Sequence, residues 1–336
     1  MRTRLISALA VAALLLSGCV QEVKPVKLET LQDFQSQKIK WRTCYDSLKC
    51  ADVLVPIDYT NIKLGTFRIS MLKHEATNKE DRIGSMFVNP GGPGASGVEY
   101  AYSAEYIVSP QLLALYDIVG FDPRGVGRSA PIRCLTDDET DANYASDSKP
   151  DNPAEFETLV KEAQDYVAKC EKNTKNLTAY STENTARDMD VIRAVLGDEK
   201  LNYLGKSYGT YLGTIYAQLF PDTVGRVVLD GAIDPTLTNE QLSYGQALGF
   251  ELALMRFVDD CVTNSDCPLD ASGAAGVSEV GDLLIALDAN PVTLDDGRLF
   301  TQAMGTLGVV GSLYDKQYGW PELRTNLGLA FEDDFS

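Results

Sequence analysis

Short apolar runs alternate with amphipathic stretches through the middle of the chain. Val53–Pro56 and Thr66–Leu72 read as strands, followed by Ile83–Val88 and Tyr116–Phe121. Asp137 to about Thr178 turns polar and helical, with Phe156, Leu159, Val160 and Ala163 on one face. Between Thr185 and Leu196 the residues Ala186, Met189, Ile192 and Leu196 form a buried stripe at helical spacing, and Gly197 supplies a stop. Leu201–Gly205 is then a strand, Tyr208–Phe220 a helix ended by Pro221, and Val224–Asp230 a strand. Strands that alternate with helices between glycine and proline breaks imply an α/β fold with a largely parallel, doubly wound sheet. After Asp234-Pro235 the pattern changes. Gln241–Val262, Val280–Leu287 and much of Leu299–Leu329 read as helical, which predicts a helical cap over the core rather than a second independent domain.

The N-terminus carries a different signal. Met1-Arg2-Thr3-Arg4 is basic, and Leu5–Leu16 is apolar but short for a membrane span. The run ends in Leu16-Ser17-Gly18-Cys19, which resembles the bacterial lipoprotein box. That resemblance implies cleavage after residue 18 and acylation of Cys19, with several acyl chains giving a stable membrane anchor. Four segments are therefore expected: a signal peptide at 1–18, a polar tether at 19–40, the core at 41–235 and an incomplete cap at 236–336. The expected location is the bacterial cell envelope, on the outer side of a membrane.

With 336 residues, 44% hydrophobic, the chain is long enough to bury a large core. Its formal net charge of −18 repels phosphate backbones and argues against nucleic-acid binding. Apart from Cys19 there are six cysteines, an even number that reads as disulfides outside the cytosol. Six cysteines allow 15 pairings; the two short loops favour Cys44–Cys50 and Cys261–Cys267, which leaves Cys134–Cys170. With no C-x-x-C pair and His74 as the single histidine, a zinc site is not expected.

Gly205-Lys206-Ser207-Tyr208-Gly209 lies between an expected strand and an expected helix, the context of a nucleophile elbow. Ser207 is then the candidate nucleophile, with the following helix aiming its amino-terminal N–H groups at it. Asn89-Pro90-Gly91-Gly92-Pro93-Gly94 follows a strand, and its glycines let main-chain N–H groups approach a developing oxyanion. The expected donors are an amide within Gly91–Gly92 and the amide of Tyr208. In Asp122-Pro123-Arg124-Gly125, Asp122 and Arg124 are expected to brace the neighbouring glycine loop rather than to take part in chemistry.

These motifs, with Trp41 and Cys44, the run Asp122–Ser129, Asn202–Thr210, Phe220-Pro221-Asp222 and Val228–Gly231, resemble the exported tripeptidyl aminopeptidases. Those are relatives of prolyl iminopeptidase among the α/β-hydrolases. The resemblance runs from about Trp41 to the C-terminus, with Trp320-Pro321 matching the helical cap. It implies an α/β-hydrolase fold and a serine exopeptidase that removes short peptides or single residues from N-termini without a cofactor. It also implies a triad acid and histidine on later loops, beyond the cap. This chain reaches Ser336 inside the expected cap, and no histidine follows Ser207. The expectation is a nucleophile without its base, inactive as it stands. His74 comes in the wrong chain order to replace it, and Asp230 and Asp234 follow the strand after the elbow, with Asp230 expected to be structural at the rim. Glu240 and Asp259 are acidic cap residues available to a substrate ammonium, without an assignment to either. A carboxylesterase on the same fold and a non-catalytic envelope lipoprotein are the alternatives.

Overall fold

A computed structural model of the chain describes residues 28–335. The leader and Cys19 lie outside the described residues. Ordered structure begins earlier than Trp41. Helix α1 (Leu31–Gln35) opens with a capping box in which Thr30 Oγ1 accepts the Asp33 N–H and Asp33 Oδ2 accepts the Thr30 N–H. Phe34 on this helix is fully buried in the main core, and the Gln37 side chain bonds both the N–H and the C=O of Leu54. The expected tether to residue 40 is corrected accordingly: its last ten residues are part of the domain. One aromatic in a polar stretch creates no periodicity, yet it is enough to dock a short helix.

The strands are β1 (Arg42–Cys44), β2 (Leu48–Pro56), β3 (Thr66–His74), β4 (Gly84–Asn89), β5 (Tyr116–Phe121), β6 (Leu201–Lys206) and β7 (Val224–Asp230). They form one sheet in the order β1-β2-β3-β5-β4-β6-β7. The first three join antiparallel, and β5, β4, β6 and β7 are mutually parallel. The connection from β4 runs first to β5 on one side, and the chain then returns to place β6 on the other. Such a reversal opens a crevice at the carboxyl ends of the strands. β4 is buried on both faces: Phe87 packs into one core cluster with Met189, Leu212 and Tyr216, and Val88 packs into the other with Val98, Ala101 and Ile118. This is the alternation a two-sided strand requires.

Between β4 and β5 lie three short helices that hydrophobic periodicity did not announce, α2 (Gly97–Tyr102), α3 (Ala104–Ile107) and α4 (Pro110–Leu115). The polar stretch holds α5 (Asp137–Tyr144) and α6 (Pro153–Asn173), and then comes α7 (Thr182–Leu196), capped by Ser181 and ended by Gly197 at φ 80°. Helix α8 (Tyr208–Leu219) follows β6 directly. The C-terminal region comprises α9 (Asn239–Cys261), α10 (Gly273–Ala289), a hairpin of β8 (Val292–Thr293) and β9 (Leu299–Phe300), α11 (Gln302–Leu313) and α12 (Gly319–Phe331). It has its own cluster around Phe257, Val258, Trp320, Leu323 and Leu327, separate from the two that flank the sheet. The disulfides are Cys44–Cys50, Cys134–Cys170 and Cys261–Cys267, the pairing expected from loop length.

β7 forms one margin of the sheet, and Val227, Val228 and Leu229 are exposed there, Val228 by 58%. Among the described residues nothing covers this margin as β4 and β5 are covered. No helix of the described residues is long and apolar enough to cross a membrane.

Candidate active site

The crevice is built from the ends of β4 and β6. The register sets Asn89 opposite Gly205, so the loop leaving β4 and the turn leaving β6 emerge side by side. Ser207 occupies that turn at φ 53°, ψ −124°, a conformation outside the regions a side-chain-bearing residue prefers. Such strain persists only where the surroundings impose it. Here the Ser207 N–H donates to the Asp230 carbonyl at 2.9 Å, and the Ser207 carbonyl accepts from Thr210 N–H at 2.8 Å and Thr210 Oγ1 at 2.7 Å. The turn also demands small neighbours. A Cβ on Gly205 would lie 2.5 Å from the Gly209 carbonyl oxygen, and one on Gly209 would lie 2.7 Å from Asn89 Oδ1. Ser207 itself is exposed at the mouth of the crevice.

The glycine loop lies against this turn. Gly91, Gly92 and Gly94 have φ of 101°, 107° and 109°, which side-chain-bearing residues rarely adopt. A Cβ on Gly91 would fall 2.5 Å from the Lys206 carbonyl oxygen, 3.0 Å from Ser207 Cβ and 3.1 Å from Tyr208 N. Only a bare α-carbon lets the two segments come this close. The amide of Tyr208 is the first of α8, in the turn whose N–H groups have no partner within the helix. The Tyr208 hydroxyl is 2.8 Å from Thr182 Oγ1, and burial pushes its pKa above the ordinary tyrosine value. The two segments expected to supply donors therefore meet at Ser207.

Asp122 and Arg124 divide the bracing role. The Asp122 carboxylate, fully buried, accepts from Ser96 Oγ and, at 3.3 Å, from Val98 N–H at the start of α2, and from Arg128 N–H at 2.9 Å. It thus fastens the segment leaving the glycine loop, as expected. Arg124 turns away from that loop. Its guanidinium pairs with the buried Asp188 of α7 through Nε at 2.8 Å and Nη2 at 2.6 Å, and bonds the carbonyls of Pro56, Ile57 and Ala179. Burial pushes the Asp188 carboxyl up, against the pull of Arg124 and of the Tyr59 hydroxyl 2.7 Å away.

His74 is not part of this site. It pairs with Ile118, which pairs with Met86, three residues before the end of β4. Met86 is level with Asn202, five residues before Ser207, so at the usual strand rise and spacing His74 lies roughly 16 Å down the strands and about 14 Å across them from Ser207. Its Nε2 is 3.8 Å from Glu105 instead. The Asp230 side chain is 60% exposed and lies 3.6 Å from Lys206 Nζ, so its main chain, not its carboxylate, touches Ser207. Asp234 caps a local turn through Thr236, whose backbone and hydroxyl hydrogen bonds hold its pKa below the usual value. Glu240 sits in the first turn of α9, and Asp259 accepts from Gly273 N–H at 2.9 Å. Among the described residues, no group of three or more His, Cys, Asp or Glu side chains could hold a metal ion.

The sequence model of the family described as alpha/beta hydrolase fold matches residues 84–318. The chain belongs to the α/β-hydrolase fold family. This hydrolase-fold chain is 34% identical to the serine protease Hip1 of Mycobacterium tuberculosis over 340 residues, covering 96% of the chain and 65% of that protein. It is 41% identical to the tripeptidyl aminopeptidase of Streptomyces lividans over 212 residues, covering 59% of the chain and 39% of that protein. Carboxylesterase B of M. tuberculosis is 35% identical over 302 residues, covering 85% of the chain and 57% of that protein. The chain thus spans less than two thirds of the length of each of these relatives.

Proposed function

We propose that the chain is a serine hydrolase in which Ser207 is the nucleophile and the amides of Tyr208 and of the Gly91–Gly92 segment receive the oxyanion, acting as an exopeptidase on peptide N-termini. One observation carries this reading: the Gly91 α-carbon is packed against Lys206, Ser207 and the Tyr208 nitrogen, so loop amides and nucleophile share one crevice. Backbone donors fixed before reaction stabilise a tetrahedral oxyanion without reorganisation. The names of Hip1 and of the Streptomyces aminopeptidase favour peptide substrates. Carboxylesterase B supports a second reading, ester hydrolysis through the same elbow.

The described residues place no imidazole within reach of Ser207. An oxyanion site and substrate binding without a complete triad sustain about 10³–10⁴-fold acceleration over water. On this reading the chain alone reacts slowly, and a base supplied along the open β7 margin would complete the site. Lipidation of Cys19 and residence on the outer face of a bacterial membrane belong to the same proposal; three disulfides suit an oxidising compartment. Mass spectrometry of the amino-terminal peptide tests the acylation.

A fluorophosphonate tests the nucleophile. It should label Ser207, faster with imidazole added as an external base, and should not label Ser207→Ala. Tripeptidyl anilides and p-nitrophenyl esters, each with imidazole, then separate peptidase from esterase. Absence of any Ser207 adduct under these conditions defeats the hydrolase reading and leaves a binding lipoprotein.

A further inference from the structure

Asn89 ends β4 opposite Gly205 and is 1% exposed. Its side-chain oxygen accepts the Gly91 N–H at 2.9 Å. A Cβ on Gly209 would come within 2.7 Å of the same oxygen, so the carboxamide is pressed between the glycine loop and the first turn of α8. Gly91 is buried, while Gly92 beside it is exposed, as is Ser207. One loop amide is therefore occupied internally, while its neighbouring residue, like the nucleophile, is exposed.

Resting on the hydrolase reading, we propose that Asn89 is a positioning residue that selects the oxyanion donor. By engaging the Gly91 N–H it turns that amide inward and leaves the Gly92 N–H, with that of Tyr208, to face the reacting carbonyl. A carboxamide suits the task because it accepts a hydrogen bond without carrying charge. A carboxylate in its place would hold Gly91 equally well but would set a negative charge beside the developing oxyanion, where charges interact strongly. Asn89 acts through the loop and does not touch substrate.

Two measurements on the full chain test this. Isotope-labelled glycine reports hydrogen exchange at Gly91 and Gly92, and fluorophosphonate labelling with imidazole reports the reactivity of Ser207. In the unmodified protein Gly91 should be protected and Gly92 should exchange faster. In Asn89→Ala the Gly91 protection should vanish, and labelling should fall by about 10²–10³-fold, the loss seen when one oxyanion donor is removed. In Asn89→Asp the protection should remain while labelling slows by about tenfold or more, a separation a purely structural role would not produce. If Asn89→Ala does not fold, Asn89→Asp still decides. Labelling of the unmodified protein with Gly91 unprotected overturns the proposal alone, as does Asn89→Asp labelling at the unmodified rate. No labelling of the unmodified protein overturns the hydrolase reading and this proposal with it.

Discussion

Replacing Gly91 with alanine tests the crevice most directly, because a control with the same backbone strain exists three residues away. Gly91 and Gly94 have nearly equal φ, 101° and 109°. Alanine at either position is strained by about 1–3 kcal/mol. Space distinguishes them: the new methyl at 91 would lie 2.5 Å from the Lys206 carbonyl oxygen, where ordinary contact begins at 3.4 Å, and at 94 nothing lies within 4 Å. The nearest obstructing atom is a backbone oxygen of the elbow, so the loop must retreat by nearly 1 Å. A displacement of about 1 Å at a reacting centre costs on the order of 10²-fold in rate. Fluorophosphonate labelling of Ser207 with added imidazole is the assay, alongside urea unfolding to measure the strain. Gly94→Ala should lose only the strain, Gly91→Ala should lose more because its methyl also meets backbone, and only Gly91→Ala should label about 10²-fold more slowly. Equal labelling of the two variants would refute the contact between loop and elbow.

Three further outcomes are expected. Arg124→Met should destabilise the fold by about 3–5 kcal/mol, because it strands a buried carboxylate; the partner Asp188 has no exposed side-chain surface. Combining it with Asp188→Leu should recover much of that loss, and additive losses in urea unfolding would contradict the pairing. Phe34→Ala should cost about 3–5 kcal/mol if α1 is part of the core, whereas a free tether would show no change in the unfolding midpoint. Burial pushes the Tyr216 phenol up to about 12 from its ordinary 10.0, and pushes Tyr203 and Tyr208 up as well. A raised folded-state pKa contributes stability that is present below pH 10 and lost as pH rises through the folded value, so stability should decline between about pH 10 and 12. Ultraviolet absorbance of tyrosinate should show a late-titrating group that merges with the rest in denaturant; a single ordinary titration would contradict this.

Elements with strong local signals were legible in the chain itself. Tyr116–Phe121 and Val224–Asp230 match their strands residue for residue; Asp122-Pro123 follows the first and Gly231 the second. The elbow was legible because strand, serine and helix are contiguous. What stayed hidden depends on contacts between distant segments. Asp188 stands outside the apolar stripe that marks its helix in the sequence, and its partner Arg124 is 64 residues away. Helices α2 to α4 have only four to six residues each, too few for a 3.6-residue period to register. The commitment of the Gly91 amide to Asn89 needed coordinates, because the sequence pattern ends the strand at Val88 and leaves Asn89 in the loop.

The hydrogen bond from Ser207 to the main chain of Asp230 ties the nucleophile to the outermost strand of the sheet. The strut behind the reactive oxygen is thus also an exposed edge strand of the sheet, and a disturbance at that border reaches Ser207 through a backbone link. Whatever steadies or peels back β7 will set the poise of the serine, whichever side chain occupies position 230.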